Sequence, residues 1–177
     1  MIDWEDDYYP LTAFATGRNA TGGDLKIAQE GFELFCVQRE ERIRKLSKLV
    51  YNFGIDLDFS EQSLASLNRF YSSGIERHET KGQIAYEWAE VTLDIGVYIG
   101  EVIRKKWPVF RWALLEEEDP IHPFFHDIGL TSGPLKAPLF SVLFTYARNM
   151  IEDDLKFESL AESQFEMMVQ DLRKLLL

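Results

Sequence analysis

From Leu25 to Phe53 the apolar residues fall at Ala28, Phe32, Phe35, Ile43, Leu46, Leu49, Val50 and Phe53. That spacing of three and four predicts an amphipathic helix. Asp24 stands where an N-cap belongs and Gly54 where a helix stops. The polar stretch Gln38–Arg42 interrupts the stripe and predicts a kink or a solvent-exposed middle. Arg39, Arg42, Arg44, Lys45 and Lys48 make this the one locally basic element. A shorter helix is expected from Glu61 to about Ser72, capped by Ser60, with Leu64, Leu67, Phe70 and Tyr71 on its apolar side.

The longest uninterrupted helical pattern runs from Ile84 to Lys106 and ends at Trp107-Pro108, because proline disfavours helical geometry in the residue before it. Gly96 and Gly100 lie one turn apart in its interior. A glycine there costs about 1 kcal/mol relative to alanine, so the pair predicts a second backbone packed close against that face. Glu87, Glu90, Asp94, Tyr98 and Glu101 fall on the other side, which reads as a solvated acidic face, with Glu101 tied to a neighbouring segment. Five of the six prolines lie between 108 and 138. Val109–Leu115 and Phe124–Leu130 therefore read as two strands of a hairpin, which must pack on the helices to persist. Leu139 to Leu155 and Leu160 to Leu176 repeat the helical spacing. The fold expected is mainly α: a single-domain bundle of about five helices over residues 25–177, with a small antiparallel hairpin near 109–130. Residues 1–24 read as an extended N-terminal arm.

Composition narrows the function classes. The 177 residues carry a formal net charge of -11, which repels nucleic acid and attracts basic proteins. Cys36 is the single cysteine, so an internal disulfide and a cysteine-based zinc site are excluded; it reads as a buried thiol. The acidic N-terminus is unlike a signal peptide, and no apolar run is long enough to span a membrane, so a cytoplasmic protein is expected.

Catalytic signatures are sparse. The chain holds no Gly-x-Ser-x-Gly elbow, phosphate-cradling glycine loop or Glu-x-x-His pair. The rival enzyme reading rests on Glu101, His122 and His126, with His78 as a distant third imidazole for a metal. No cofactor is expected. Two acidic clusters remain: Asp6 and Asp7 beside Tyr8 and Tyr9, and Glu116, Glu117, Glu118 and Asp119 at the hairpin tip. Acids that steer beside rings that anchor are the chemistry of a protein-binding patch.

Leu57–Leu64, the Asp94–Glu101 segment with its Tyr-x-Gly-Glu, Trp112, Tyr146-Ala147-Arg148-Asn149 and Glu152–Leu155 span about residues 55–155. In these the chain resembles a group of small uncharacterised bacterial proteins of the immunity-protein type. Trp107-Pro108-Val109-Phe110 stands where that group has a glycine-rich stretch. The resemblance implies a protein from a toxin–immunity neighbourhood, and none of the matched residues forms a known catalytic set. The function expected is a non-catalytic binding protein that neutralises a basic toxin, with a housekeeping scaffold or regulator as the alternative. The sequence sets neither the partner's identity nor the oligomeric state.

Overall fold

The computed structural model describes residues 2, 4, 8, 11–75, 84–117, 119, 121, 122 and 124–152. Five helices and three strands follow one another in it: α1 (Gly17–Thr21), α2 (Leu25–Tyr51), α3 (Glu61–Gly74), α4 (Tyr86–Lys106), β1 (Arg111–Leu115), β2 (Asp127–Ser132), β3 (Leu135–Pro138) and α5 (Leu139–Glu152). The protein is a mainly α single domain, as the apolar spacing predicts. The helix expected over 160–176 and the connector around His78 lie outside the described residues.

Local chemistry accounts for the helix ends. The Asp24 carboxylate accepts from the amides of Lys26 and Ile27, and the Ser60 hydroxyl accepts from that of Ser63. Each satisfies a donor that the first turn leaves without a partner. Past α2, Gly54 adopts φ +73°, the left-handed conformation that terminates a helix with little strain.

Helix α4 is the centre of the molecule. It packs on α2 and α5, while the sheet packs on α5, α2 and α1. Its apolar residues Val91, Ile95, Ile99 and Ile103 join Leu46 and Leu49 of α2 and Leu64, Leu67 and Tyr71 of α3 in the main core. A second cluster of Phe14, Phe35, Leu93, Val97, Ile128 and Phe140 fills the space between α4, the sheet and α5.

The Gly96/Gly100 face is indeed closely approached, but by aromatic side chains rather than by a second backbone. A methyl group added at Gly96 would lie 2.5 Å from a Phe140 ring carbon, and one added at Gly100 would lie 2.1 Å from Trp112.

Two expectations change. The sheet has three antiparallel strands, in the order β1-β2-β3, rather than two. Trp112 pairs with Leu130, and Leu130 pairs in turn with Ala137. The β2–β3 connection is the two-residue turn Gly133-Pro134. Gly133 takes φ +57° there, as the tight turns that suit strand twist require at their first central position. Strand β3 escaped the sequence reading because it is four residues long and ends in Pro138, which an edge strand tolerates.

The N-terminal residues are not simply an extended arm. Gly17, Gly22 and Gly23 all adopt positive φ and bracket the single turn of α1. Tyr8 and Phe14 are buried in the two cores. Among the described residues no helix is long and apolar enough to cross a membrane.

Candidate functional site

The face of α4 expected to be solvated is instead the polar heart of the molecule. Glu90 and Asp94 are buried, and so are Arg42 and Lys45 on the facing α2. Arg42 lies three residues from Lys45 and Glu90 four from Asp94, so each pair occupies one face of its own helix. Packing α2 on α4 brings two cations against two carboxylates. Arg42 Nη1 lies 2.6 Å from Asp94 Oδ1 and 3.4 Å from Glu90 Oε2. Lys45 Nζ lies 3.5 Å from Asp94 Oδ2 and 3.9 Å from the centre of the Tyr8 ring. Among the described residues that ammonium makes no hydrogen bond, so ion pairing and the ring face hold it.

The N-terminal segment closes the group from above. The Tyr8 hydroxyl donates to Asp94 Oδ2 at 2.5 Å, and Arg42 Nη2 donates to the carbonyl of Thr12 at 2.9 Å. Arg42 Nε donates to Gln38 Oε1, and its guanidinium also lies over the Phe14 ring. Gln38–Arg42 is therefore not wholly a solvent-exposed middle: Glu40 is exposed, but Arg42 is fully buried.

Burial raises the pKa of the Tyr8 phenol far above its ordinary value, and the Asp94 charge adds to this, so Tyr8 remains a donor. Burial likewise pushes Asp94 and Glu90 upward while Arg42 pulls both back, and burial lowers Lys45 against the pull of Asp94. Two positive and two negative groups, closed to solvent, suit a latch between the N-terminal segment and two helices. Tyr8→Phe is expected to cost about 1.5–3 kcal/mol, the range for a hydrogen bond to a charged group. Urea unfolding at neutral pH measures it, and a loss under 0.5 kcal/mol would remove Tyr8 from the latch.

Tyr98 also leaves the expected surface. It is fully buried, its hydroxyl accepting from the Phe59 amide at 2.8 Å and sharing a 2.6 Å hydrogen bond with Ser63 Oγ. That joins α4 to the cap of α3. Glu101 meets the expectation of a tether. Its Oε1 accepts from Trp112 Nε1 at 2.7 Å and Arg104 Nη1 at 2.8 Å, and lies 3.2 Å from Arg39 Nε. The carboxylate thus ties β1 and α2 to α4 directly beside the Trp112–Gly100 contact.

The residues of the rival enzyme reading are spoken for separately. His122 Nδ1 accepts from the Phe124 amide within its own loop. His126 is buried at φ +58°, its ring 3.9 Å from that of Phe125 and its Nδ1 3.5 Å from Thr21 Oγ1. Among the described residues no group of three or more His, Cys, Asp or Glu could hold a metal ion. Cys36 is exposed rather than buried, because it sits one position beyond the stripe that Phe32 and Phe35 define.

Of the two acidic clusters, Asp6, Asp7, Tyr9 and Glu118 lie outside the described residues. Tyr8 is withdrawn into the core, so it is not a surface anchor. In the β1–β2 loop, Glu116 and Asp119 are exposed. Glu117 is paired with Lys136 of β3, which holds its carboxyl below the usual range. Ile121 stands 79% exposed beside them.

A family model described as "Uncharacterised protein YwmA" matches residues 26–133, more than half of the chain. The chain belongs to this family. The YwmA match spans α2 to the β2–β3 turn, and so contains the Arg42–Asp94 latch, the two glycines, Glu101 and Trp112. Tyr8 and the Tyr146–Asn149 segment fall outside it. No curated protein and no solved structure matches the chain. The family description names no activity and no partner.

The paired charges were the signal that sequence reading passed over. Two basic residues at i, i+3 on one helix and two acidic ones at i, i+4 on another are complementary, although neither pattern alone distinguishes a buried face from a solvated one.

Proposed function

We propose that this YwmA-family chain is a non-catalytic, cytoplasmic binding protein that offers its β1–β2 loop to a basic protein partner. The observation that carries the reading is Ile121, exposed between the acidic residues Glu116 and Asp119 on one side and the half-buried Phe124 on the other. An exposed aliphatic anchor beside exposed carboxylates can be buried by a partner while the acids guide its approach. The net charge of -11 supports a basic partner. In its sharper form the proposal is an immunity-type inhibitor that covers the working surface of a basic toxin, the role implied by the resemblance in the Asp94–Glu101 and Leu57–Leu64 segments.

The test uses the proteins encoded on either side of this chain's own gene, expressed and purified. Surface plasmon resonance at low and high salt should give an association rate that falls about tenfold or more on reversing Glu116 and Asp119 to lysine, with much of the salt dependence lost. Ile121→Ala should act chiefly on dissociation. A complex whose association ignores both the reversal and the salt would overturn the proposal, as would the absence of any complex at low salt.

A further inference from the structure

A cavity of about 350 Å³ lies between α1 and the first turns of α5. That is within the size range of small-molecule pockets, about 300–1,000 Å³. Half-buried Phe144 and exposed Ala20 supply its apolar lining, while the Phe140 ring beneath is buried in the second core, and Arg18 and Arg148 supply two guanidiniums. All five lie outside the span matched by the family model, so this feature belongs to the chain rather than to the family match.

Neither guanidinium is tied to a carboxylate among the described residues; Arg69 and Arg111 share that state but do not line the cavity. Arg39, Arg42, Arg44 and Arg104 are each paired with a carboxylate. Arg18 and Arg148 are exposed and have no ion-pair partner among the described residues, yet they line the same cavity.

The hydroxyls around them direct their hydrogens elsewhere. Thr16 Oγ1 donates to Asp127 Oδ1 at 2.7 Å, and Thr145 Oγ1 donates to the Ser141 carbonyl at 2.8 Å. The Ser141 backbone amide also donates to Asp127, at 3.2 Å from Oδ2. Asp127 is fully buried, so its carboxylate is occupied by these groups rather than presented to the cavity. The charged donors left for a ligand are therefore the two arginine forks, with the exposed Asn19 carboxamide as a neutral donor and the Thr145 lone pairs available as acceptors.

We propose that this cavity binds a small phosphate monoester carrying a ring or other compact apolar group. Two guanidiniums match a dianion in charge, and together they can engage the several free oxygens of a phosphate, where a carboxylate fills only one fork. Phe144 takes the apolar part, which inorganic phosphate lacks. The assignment does not depend on a protein partner at the β1–β2 loop, since the two sites share no residue.

Isothermal titration of the full chain with phenyl phosphate, inorganic phosphate and benzoate tests it. Phenyl phosphate should bind tightest of the three, and Arg18→Ala or Arg148→Ala should each weaken it by about tenfold or more. Both side chains are exposed, so the melting temperature of the ligand-free variants should stay unchanged, which separates a lost contact from a lost fold. No measurable binding of phenyl phosphate would overturn the proposal, and so would binding undiminished in the Arg18→Ala/Arg148→Ala double variant. Inorganic phosphate binding as tightly as phenyl phosphate would remove the apolar part of the assignment, and benzoate doing so would remove the phosphate.

Discussion

Asp94→Ala is expected to lower the unfolding free energy by about 3–5 kcal/mol, the range for removing one partner of a buried ion pair. The carboxylate accepts from Arg42 and Tyr8 and faces Lys45, so its loss takes the nearest anion from two buried cations and the acceptor from a buried phenol at once. Glu90 remains, but it lies 3.4 Å from Arg42, where Asp94 lies at 2.6 Å. The ion pair need not itself favour the fold over an apolar equivalent, because desolvating the two charges offsets much of their attraction. The double replacement Arg42→Met/Asp94→Leu should therefore be less destabilising than Asp94→Ala alone. Urea unfolding of Arg42→Met, Asp94→Leu and the double, analysed as a double-mutant cycle beside Asp94→Ala, measures the coupling. A cost below about 1 kcal/mol for Asp94→Ala would show that the charges are solvated and that the latch does not hold the N-terminal segment.

Gly100→Ala should cost about 3 kcal/mol, at the upper end of what overpacking a core usually costs, and Gly100→Leu more. The added methyl would sit 2.1 and 2.2 Å from two atoms of the Trp112 ring and 3.0 Å from a Leu139 methyl. The indole has little freedom to yield. Its Nε1 is bonded to Glu101, and its ring lies 4.7 Å from that of Phe35 and is stacked on that of Phe140. Relief of the clash should restore tolerance: in a Trp112→Ala background the further cost of Gly100→Ala should largely disappear, despite the stability that Trp112→Ala itself removes. Thermal unfolding of the four proteins decides the matter. A Gly100→Ala variant within 0.5 kcal/mol of the parent would mean that the indole moves aside freely.

These two results probe features that were legible to different degrees. The glycine pair was conspicuous because a helix interior otherwise avoids glycine, so close approach could be inferred from Gly96 and Gly100 alone. Whether a backbone or a ring makes the approach could not, since Trp112 and Phe140 are distant in sequence and reach α4 only through the sheet and α5. The acidic residues of α4 were misread for a related reason. Glu90 and Asp94 look solvated wherever charge alone is weighed, and the arginine that buries them lies 48 and 52 positions away.

By itself the sequence determined the features whose causes are local. Helical spacing placed α2, α3, α4 and α5. Side-chain oxygens at Asp24 and Ser60, the left-handed Gly54 and the stop at Pro108 set helix limits, because capping and proline geometry act within a few residues. Tertiary structure alone decided which polar residues entered the core, that Tyr8 and Thr12 would close over Arg42, that Leu135–Pro138 would add a third strand, and that Arg18 and Arg148 would line one cavity. Each of these depends on what a distant segment supplies. A buried charge requires a counter-charge, an edge strand a neighbour and a cavity two walls, and helical or strand periodicity records none of those partners.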